Sequence, residues 1–399
     1  MRMLSSRTAV VAVVLLFAWN GLVIGVYASS IPTLRARFNL DSLSLAALFF
    51  LTGAAAIASM QVCGRLADRV GARRVALTAM LPLVVAALGF ALAPSYPVLL
   101  LAGVALGLGN GGIDVTMNAI AVQVEKRRER PIMSFFHGTW SIGNLAGAGS
   151  VVLVAQLTGW TPDPTVNAVA LTTAAVGVAA FVVALRIVPE TELVVHTTSS
   201  GEKVRIPKSA YLLGIMAIAF GLGEGASMDW SALHVTTVAH VDPTTGALGV
   251  TMLSAFMVVI RLVGDFLVRR FGRRVVVRFG GTCAAIGYLT AATMSSLPLL
   301  LIGWALVGLG MGMIAQQVYA VAGHQAGGRG LAVVVTFGYA AFLITPGIIG
   351  GLVSAVGIQH TMFLPAVLLL GLLVLARVLP PKGQDPSVGD AVDAGLPAQ

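Results

Sequence analysis

Charge is scarce in this sequence. Only 10% of its 399 residues are Asp, Glu, Lys or Arg, and the acidic ones number 16 against 25 basic. Soluble domains carry about 25% charge, so a water-facing surface of ordinary composition is excluded. Cysteine is rarer still. Cys63 and Cys283 are the two in the chain; neither has a CxxC or metal-ligand neighbour, which leaves no disulfide framework or zinc site and makes both small apolar packing residues. No GxxxxGK[ST] loop occurs, nor any polar segment large enough to hold a nucleotide-binding domain, so ATP is not an expected energy source. Hydrolase and metal motifs are missing as well. The chain is not expected to be an enzyme or to need a cofactor or metal.

What is abundant is apolar length. The composition is 57% hydrophobic with mean hydropathy +0.92. Runs of 18 or more apolar residues recur, each long enough to cross a hydrocarbon core of about 30 Å as a helix. Barrel strands are about 10 residues long and alternate in polarity, unlike these runs. Helices satisfy their own backbone groups in lipid, so the expected class is an all-α polytopic membrane protein. The net charge of +9 does not indicate nucleic acid, because the basic residues sit at the ends of apolar runs. The N-terminal run could pass for a signal peptide, but it is long for one and many spans follow it, so it reads as a first transmembrane helix.

Twelve spans are expected, near 8–30, 43–63, 75–94, 97–123, 132–157, 165–187, 209–234, 244–267, 275–293, 297–321, 331–355 and 360–379. The longest polar interruption, 188–208, divides them six and six. The expected organisation is therefore an N-terminal bundle over 1–187, a cytoplasmic linker over 188–208, a C-terminal bundle over 209–379 and a disordered cytoplasmic tail over 380–399. With the N-terminus inside, 22 of the 25 basic residues fall on inside segments, Arg35 and Arg37 fall outside, and Arg261 lies within a span. That bias predicts both termini in the cytoplasm. It also explains why GRLADRVGARRVAL at 64–77 gathers its charge: it is a short inside loop.

The loop has a partner. Gly71 matches Gly272 at an offset of 201, and the same offset lays GLGNGGI (107–113) on GLGMGMI (308–314), Phe136 on Phe337 and Gly149 on Gly350. An internal duplication of a six-crossing unit is implied, its two copies parallel about an axis along the membrane normal.

These residues carry a resemblance to the major facilitator superfamily. GRLADRVGARRV resembles that family's signature between helices 2 and 3, here Gly64, Asp68, Arg69, Gly71, Arg73 and Arg74. The second copy, Gly264, Asp265, Arg269, Arg270, Gly272, Arg273 and Arg274, places its Asp four residues earlier relative to the glycine. The resemblance covers about 8–380. Three stretches, IPTLRARFNL (31–40), FFHGTWSIGNLAGA (135–148) and GEGASMDWSALHV (223–235), are similar to a bacterial branch related to the fucose permeases. That branch's proton-binding carboxylates sit on helices 1 and 4; Asp114 could fill the second place, whereas helix 1 offers only Asn20. The resemblance implies two six-helix bundles rocking about a midplane cavity. It also implies a cytoplasmic latch at Gly64, Asp68, Arg69, Gly71, Arg73 and Arg74; the alternative is a loop that only sets topology. Arg261 and Asp265, at i, i+4, read as an internal ion pair at the cytoplasmic end of helix 8 and are grouped with that latch.

Polar groups at membrane depth are costly and commonly face a cavity or a partner. Asp114 and Asn118 share one face of helix 4, for proton or solute binding or for interhelical bonding. Glu224 stands between Gly223 and Gly225 in the outer half of helix 7, where a low dielectric disfavours an unpaired charge, and is the leading candidate for proton coupling. Asp229 is nearer the outer surface, with a solvated or gating role. His137 could carry protons or bond helices 4 and 5 together. Trp19, Asn20, Asn144, Gln316, Gln317 and Tyr319 could present hydrogen-bonding groups to a polar solute or to one another; Trp140 reads as packing. The expected function is secondary active transport of a small polar or amphipathic organic solute across a prokaryotic cytoplasmic membrane, proton-coupled and inward. Export of a drug, antibiotic or metabolite by proton antiport is the alternative, and a transport-inactive sensor a remoter one. The lipid bilayer and the solute are the expected partners, nucleic acid is not, and the chain is expected to act as a monomer.

Overall fold

The computed structural model describes residues 6–126, 132–190 and 208–382; the side chains of Ser6, Ser134, Lys208, Asp265 and of 324–329 lie outside the description. So do the basic residues at 127–130, most of the expected linker and most of the expected tail. Among the described residues the secondary structure is helical throughout. Eleven helices are long and apolar enough to cross a membrane, and Phe363–Val378 is a shorter apolar helix completing the series of twelve. The all-α polytopic class is the one found.

The helices run α1 (Ser6–Arg37), α2 (Ser42–Val70), α3 (Ala72–Leu92), α4 (Tyr96–Lys126), α5 (Met133–Thr158), α6 (Pro162–Ile187), α7 (Lys208–Val238), α8 (Pro243–Gly246), α9 (Leu248–Phe271), α10 (Arg273–Thr293), α11 (Leu297–Met311), α12 (Ile314–Thr361) and α13 (Phe363–Leu375). The eighth crossing is built from α8 and the start of α9, Pro243–Gly264. The tenth and eleventh, Leu297–Gly323 and Gly330–Thr361, share α12. That helix cannot be one straight rod. A straight helix would set Tyr319 and Gly338 about 28 Å apart, yet a Cβ on Gly338 would stand 2.5 Å from the Tyr319 hydroxyl. The chain therefore doubles back between Gly323 and Gly330.

The duplication is written in the backbone. Among the described residues two non-glycine residues have positive φ, Asn39 (52°) and His240 (53°), and they are 201 positions apart. Asp41 and Asp242 have the same spacing. Asp41 caps α2, accepting from the Ser44 N–H at 2.7 Å; Asp242 caps α8, accepting from the Thr244 and Thr245 N–H groups at 2.9 and 3.0 Å. Such carboxylates occupy donors that a helix start leaves open. Gly71 and Gly272, again 201 apart, end α2 and α9 at φ 90° and 82°. An L-residue at either place would be strained.

The chain forms two compact units. The first holds Met1–Ser200 with Asp229–Ser254, the second Gly201–Met228 with Ala255–Gln399. In the first, α1 lies against α5 and α6, and α4 against α2 and α3. The α1–α5 contact rests on four interleaved glycines. A Cβ on Gly21 would come within bonding range of the Trp140 carbonyl, on Gly25 of the Asn144 carbonyl, on Gly143 of the Ala18 carbonyl and on Gly147 of the Leu22 carbonyl. Small residues spaced four apart let two backbones touch, which is how helices gain packing where lipid supplies no hydrophobic contrast. In the second unit α10 lies against α11, α12 and α13, with Gly280 against Gly310 and Gly287 against Gly303. There α7 meets the eleventh crossing through side chains: Gly214 faces the Phe337 ring and Gly225 faces Thr345.

The signature arginines work within their own units. Arg73 donates to the carbonyls of Leu185 and Val188 at 2.7 and 2.8 Å and to Glu190 Oε1 at 2.6 Å, tying the start of α3 to the end of α6. Its repeat mate Arg274 donates to the carbonyls of Leu379 and Arg377, at 2.6 and 3.0 Å, past the end of α13. In each unit a guanidinium serves the last carbonyls of the sixth crossing, where a helix leaves acceptors open. Arg69 and Arg74 are exposed at the basic end of the loop or partly so, and Gly64 meets only Val115 at 3.6 Å.

Candidate functional site

In the first unit the polar interior is a row of amides. Asn20, 1% exposed, donates from Nδ2 to Asn110 Oδ1 at 3.0 Å and accepts at Oδ1 from Trp140 Nε1 at 2.7 Å. Trp140 thus does more than pack, and Asn110 and Trp140 are members of the site that sequence reading passed over. One turn beyond Trp140, Asn144 is again 1% exposed. Its Oδ1 accepts from Ser254 at 2.6 Å, while its Nδ2 has no partner. A buried donor without a partner costs about 1–3 kcal/mol.

Asp114 and Asn118 do share a helix face. Asn118 Nδ2 donates to Asp114 Oδ1 at 3.2 Å and to its carbonyl at 2.8 Å, and Asp114 is partly exposed. In the same unit, Tyr27, Phe49, Phe90 and Trp230 form an aromatic cluster: Trp230 lies edge-on to Phe49 at 5.4 Å and Tyr27 against Phe90 at 5.1 Å. Asp229 stands within electrostatic reach of Tyr27. The indole N–H of Trp230 is buried without a partner. Trp19 is buried beneath Gly177, its N–H likewise unpartnered. His137 is exposed, with its ring edge on Phe17 at 5.3 Å.

The second unit holds a charged centre. Glu224 and Arg261 face one another electrostatically across the seventh and eighth crossings. Arg261, expected to pair with Asp265, also donates from Nε to the Gly312 carbonyl at 3.3 Å; the Asp265 side chain lies outside the description. Gly312 is where the tenth crossing breaks, between the end of α11 and the start of α12. A helix end carries partial negative charge on its open carbonyls, so the guanidinium is bonded to a helix end and lies within the field of the Glu224 carboxylate. Around Glu224 the backbone is fixed as well. Tyr288, fully buried, donates to the Gly223 carbonyl, and Ser227 Oγ donates to the Glu224 carbonyl at 2.8 Å. Tyr319 lies within the field of Glu224. Gln317, 5% exposed, accepts from Arg273 at 2.7 Å, and Gln316 is exposed. Tyr288 was not foreseen. Its signal was the second-half register of the repeat, which places it beside α7 rather than in any motif.

The chain can be set beside known proteins. The family model of the Major Facilitator Superfamily matches residues 13–223 and again 213–395. An uncharacterised transporter of Sinorhizobium fredii is 33% identical over 370 residues, covering 91% of this chain and 96% of its own. An uncharacterised transporter of Yersinia pestis, of the same type, is 30% identical over 92% of this chain and 94% of its own. The membrane protein MosC of Rhizobium meliloti is 28% identical over 92% and 89%. Among solved structures, the nucleoside transporter NupG superposes with a TM-score of 0.71 over 93% of this chain and 98% of its own, at 13% identity. The human organic anion transporter MFSD10 superposes at 0.66 over 94% and 100%, at 14% identity. At such identities the two structures speak for the fold. The duplicated crossings, the loop signature and a family match spanning both copies agree: this chain is a membrane-embedded, multi-pass transporter belonging to the major facilitator superfamily.

Proposed function

We propose that the protein moves a small polar or amphipathic organic solute by alternating access of its two six-helix halves, coupled to protons and directed inward. The observation that carries this reading is the pairing of Glu224 with Arg261 at the break of the tenth crossing. A carboxylate inside a span is expensive to keep charged unless a cation compensates. Protonating Glu224 frees the guanidinium to act on the helix end or on a solute, and deprotonation restores the pair, so proton occupancy and conformation are linked. Asp114, capped by Asn118, and His137 remain the further proton candidates. The amide row of Asn20, Asn110, Trp140 and Asn144 suits a solute with hydroxyl, amide or carbonyl groups. Trp19, Asp229, Gln316, Gln317 and Tyr319 complete the candidate solute set. Ser254 on Asn144 and Trp230 on Phe49 would seal the outer side, and Asp68 with the loop arginines would act from the cytoplasmic side. The distribution of Lys and Arg supports both termini in the cytoplasm. The membrane is then a prokaryotic cytoplasmic one, the chain acts as a monomer, and no cofactor beyond the proton gradient is required.

The solute is found first, by a thermal-shift screen of the purified protein against sugars, organic acids and antibiotics. In proteoliposomes, Glu224→Gln should then abolish accumulation driven by a proton gradient while exchange of solute stays measurable. Full gradient-driven uptake by that variant would refute the coupling assignment. Export instead of uptake would show as accumulation only under the opposite gradient.

A further inference from the structure

We infer that the second unit carries a binding site for an anionic phospholipid, in a groove between α9, α10 and the α11–α12 junction. The groove has a volume of about 380 Å³ and is lined wholly by apolar residues and glycine, among them Ile260, Leu267, Phe271, Val275, Phe279 and Met313. Its floor is packed core: Ile260, Val276 and Met313 are 4, 6 and 3% exposed. Its rim is open, with Phe271, Val275 and Phe279 49, 51 and 50% exposed. A soluble ligand would find no polar group to orient it along this length. An acyl chain needs none.

The mouth of the groove is what commits it to an acidic head group. Phe271 and Val275 flank the turn at Gly272, and cations ring that turn. Arg270 is exposed at the end of α9. Arg273 lies on the groove face of α10, three and seven residues before Val276 and Gly280. Lys382 donates from Nζ to the Arg270 carbonyl at 2.8 Å. Cations outnumber acids along this stretch: between Asp265 and Asp385 the chain contains eight Lys or Arg and not one Asp or Glu. Arg274 and Arg278 donate to backbone carbonyls beyond and within α13, and Arg273 donates to Gln317. An excess of cations beside an apolar groove at the end of a span is matched by a phosphate on an acyl chain. The site also touches the transport machinery, because Met313 on its floor adjoins Gly312, whose carbonyl accepts from Arg261.

The test is lipid retention by the full-length protein in detergent, read by native mass spectrometry, with thermal unfolding alongside. The probes are phosphatidylglycerol, cardiolipin, phosphatidylcholine of the same chains, and inorganic phosphate. The wild type should retain phosphatidylglycerol and cardiolipin over phosphatidylcholine, with about five-fold lost for each cation removed. Arg270→Gln should lower that preference, Arg270→Lys should keep it, and Lys382→Gln added to Arg270→Gln should lower it further. Val275→Trp, which fills the groove from its exposed rim, should reduce retention of every lipid. Equal unfolding temperatures of the variants in phosphatidylcholine would show that they fold. Equal retention of phosphatidylglycerol and phosphatidylcholine by the wild type, or an unaltered preference in the double variant, would overturn the site. So would stabilisation by inorganic phosphate as large as that by phosphatidylglycerol, which would mark an anion site without a chain.

Discussion

The two copies of the repeat share a backbone and differ in what they put inside it. Position for position, α4 and the tenth crossing begin alike, with GLGNGGI on GLGMGMI. In the first copy Asn110 bonds Asn20 and the helix runs unbroken through the four glycines of that stretch. In the second, Met311 takes the place of Asn110 and the helix stops at Gly312. The open carbonyl end is served by Arg261, whose charge is matched by Glu224. One half has an interior dominated by neutral amides that bond one another, with Asp114 capped by Asn118 and the Asn144 Nδ2 left open. The other has a broken helix, a cation and an acid that depend on each other. The lesson is that duplication preserved turns and caps, while the chemistry diverged at the crossings that face inward.

Several substitutions can break or sharpen that contrast. The largest effect is expected at the charged centre. Arg261→Ala leaves Glu224 uncompensated and should destabilise by about 3 kcal/mol, measured as unfolding in detergent. Glu224→Gln with Arg261→Met should recover most of the loss, whereas additive losses in the double variant would deny the pairing. Next comes the glycine seam. Gly143→Ala brings a Cβ onto the Ala18 carbonyl, with no flexible atom to yield, and should cost about 1–3 kcal/mol. Gly225→Ala meets the Thr345 methyl at 3.1 Å and should cost less. Equal losses would mean that the two seams pack alike after all.

Asn20→Ala comes third. It strands the Trp140 N–H and the Asn110 amide, and should cost about 1–2 kcal/mol. Because no charge is involved, the loss should not change between pH 6 and 8. The smallest effects are expected at the paired caps outside the spans. For Asp41, the Ser44 N–H holds the carboxyl below its usual range. For Asp242, partial burial pushes upward, but bonds from Thr244 and Thr245 outweigh it and the carboxyl also sits low. A carboxylate depressed in the folded state stabilises above its unfolded value of about 3.9 and loses that contribution as pH falls through the folded one. The difference between wild type and Asp242→Ala, about 1 kcal/mol, should therefore be constant from pH 5 to 8 and shrink below pH 4. Asp41→Ala should follow the same course with a smaller amplitude.

Much of the fold could be read from composition because lipid leaves few choices. Apolar length implies helices, clustered arginines imply short inside loops, and the offset of 201 implies duplication. One feature escaped that logic. The division into compact units does not follow the polar segment at 188–208, because Trp230 and Ser254 lie on crossings of the second copy and pack with the first unit. For the candidate site, residue type singles out Glu224, Asp114 and Asn20 as rare polar groups among apolar ones. It was a poor guide to partners. Arg261 was matched with Asp265 by spacing along one helix, which leaves out the Gly312 carbonyl and the Glu224 carboxylate that other crossings bring near it. Trp140 and Tyr288 look like packing residues until the acceptor beyond each ring is known.

The account stands on the second copy holding the titrating centre. The most direct measurement is proton movement during solute entry into proteoliposomes, followed with a pH-sensitive dye, for the wild type, for Glu224→Gln with Arg261→Met, and for Asn20→Ala. The account predicts solute-dependent proton movement in the wild type and in Asn20→Ala, and solute entry without proton movement in the double variant. Proton movement of wild-type size in the double variant would contradict it.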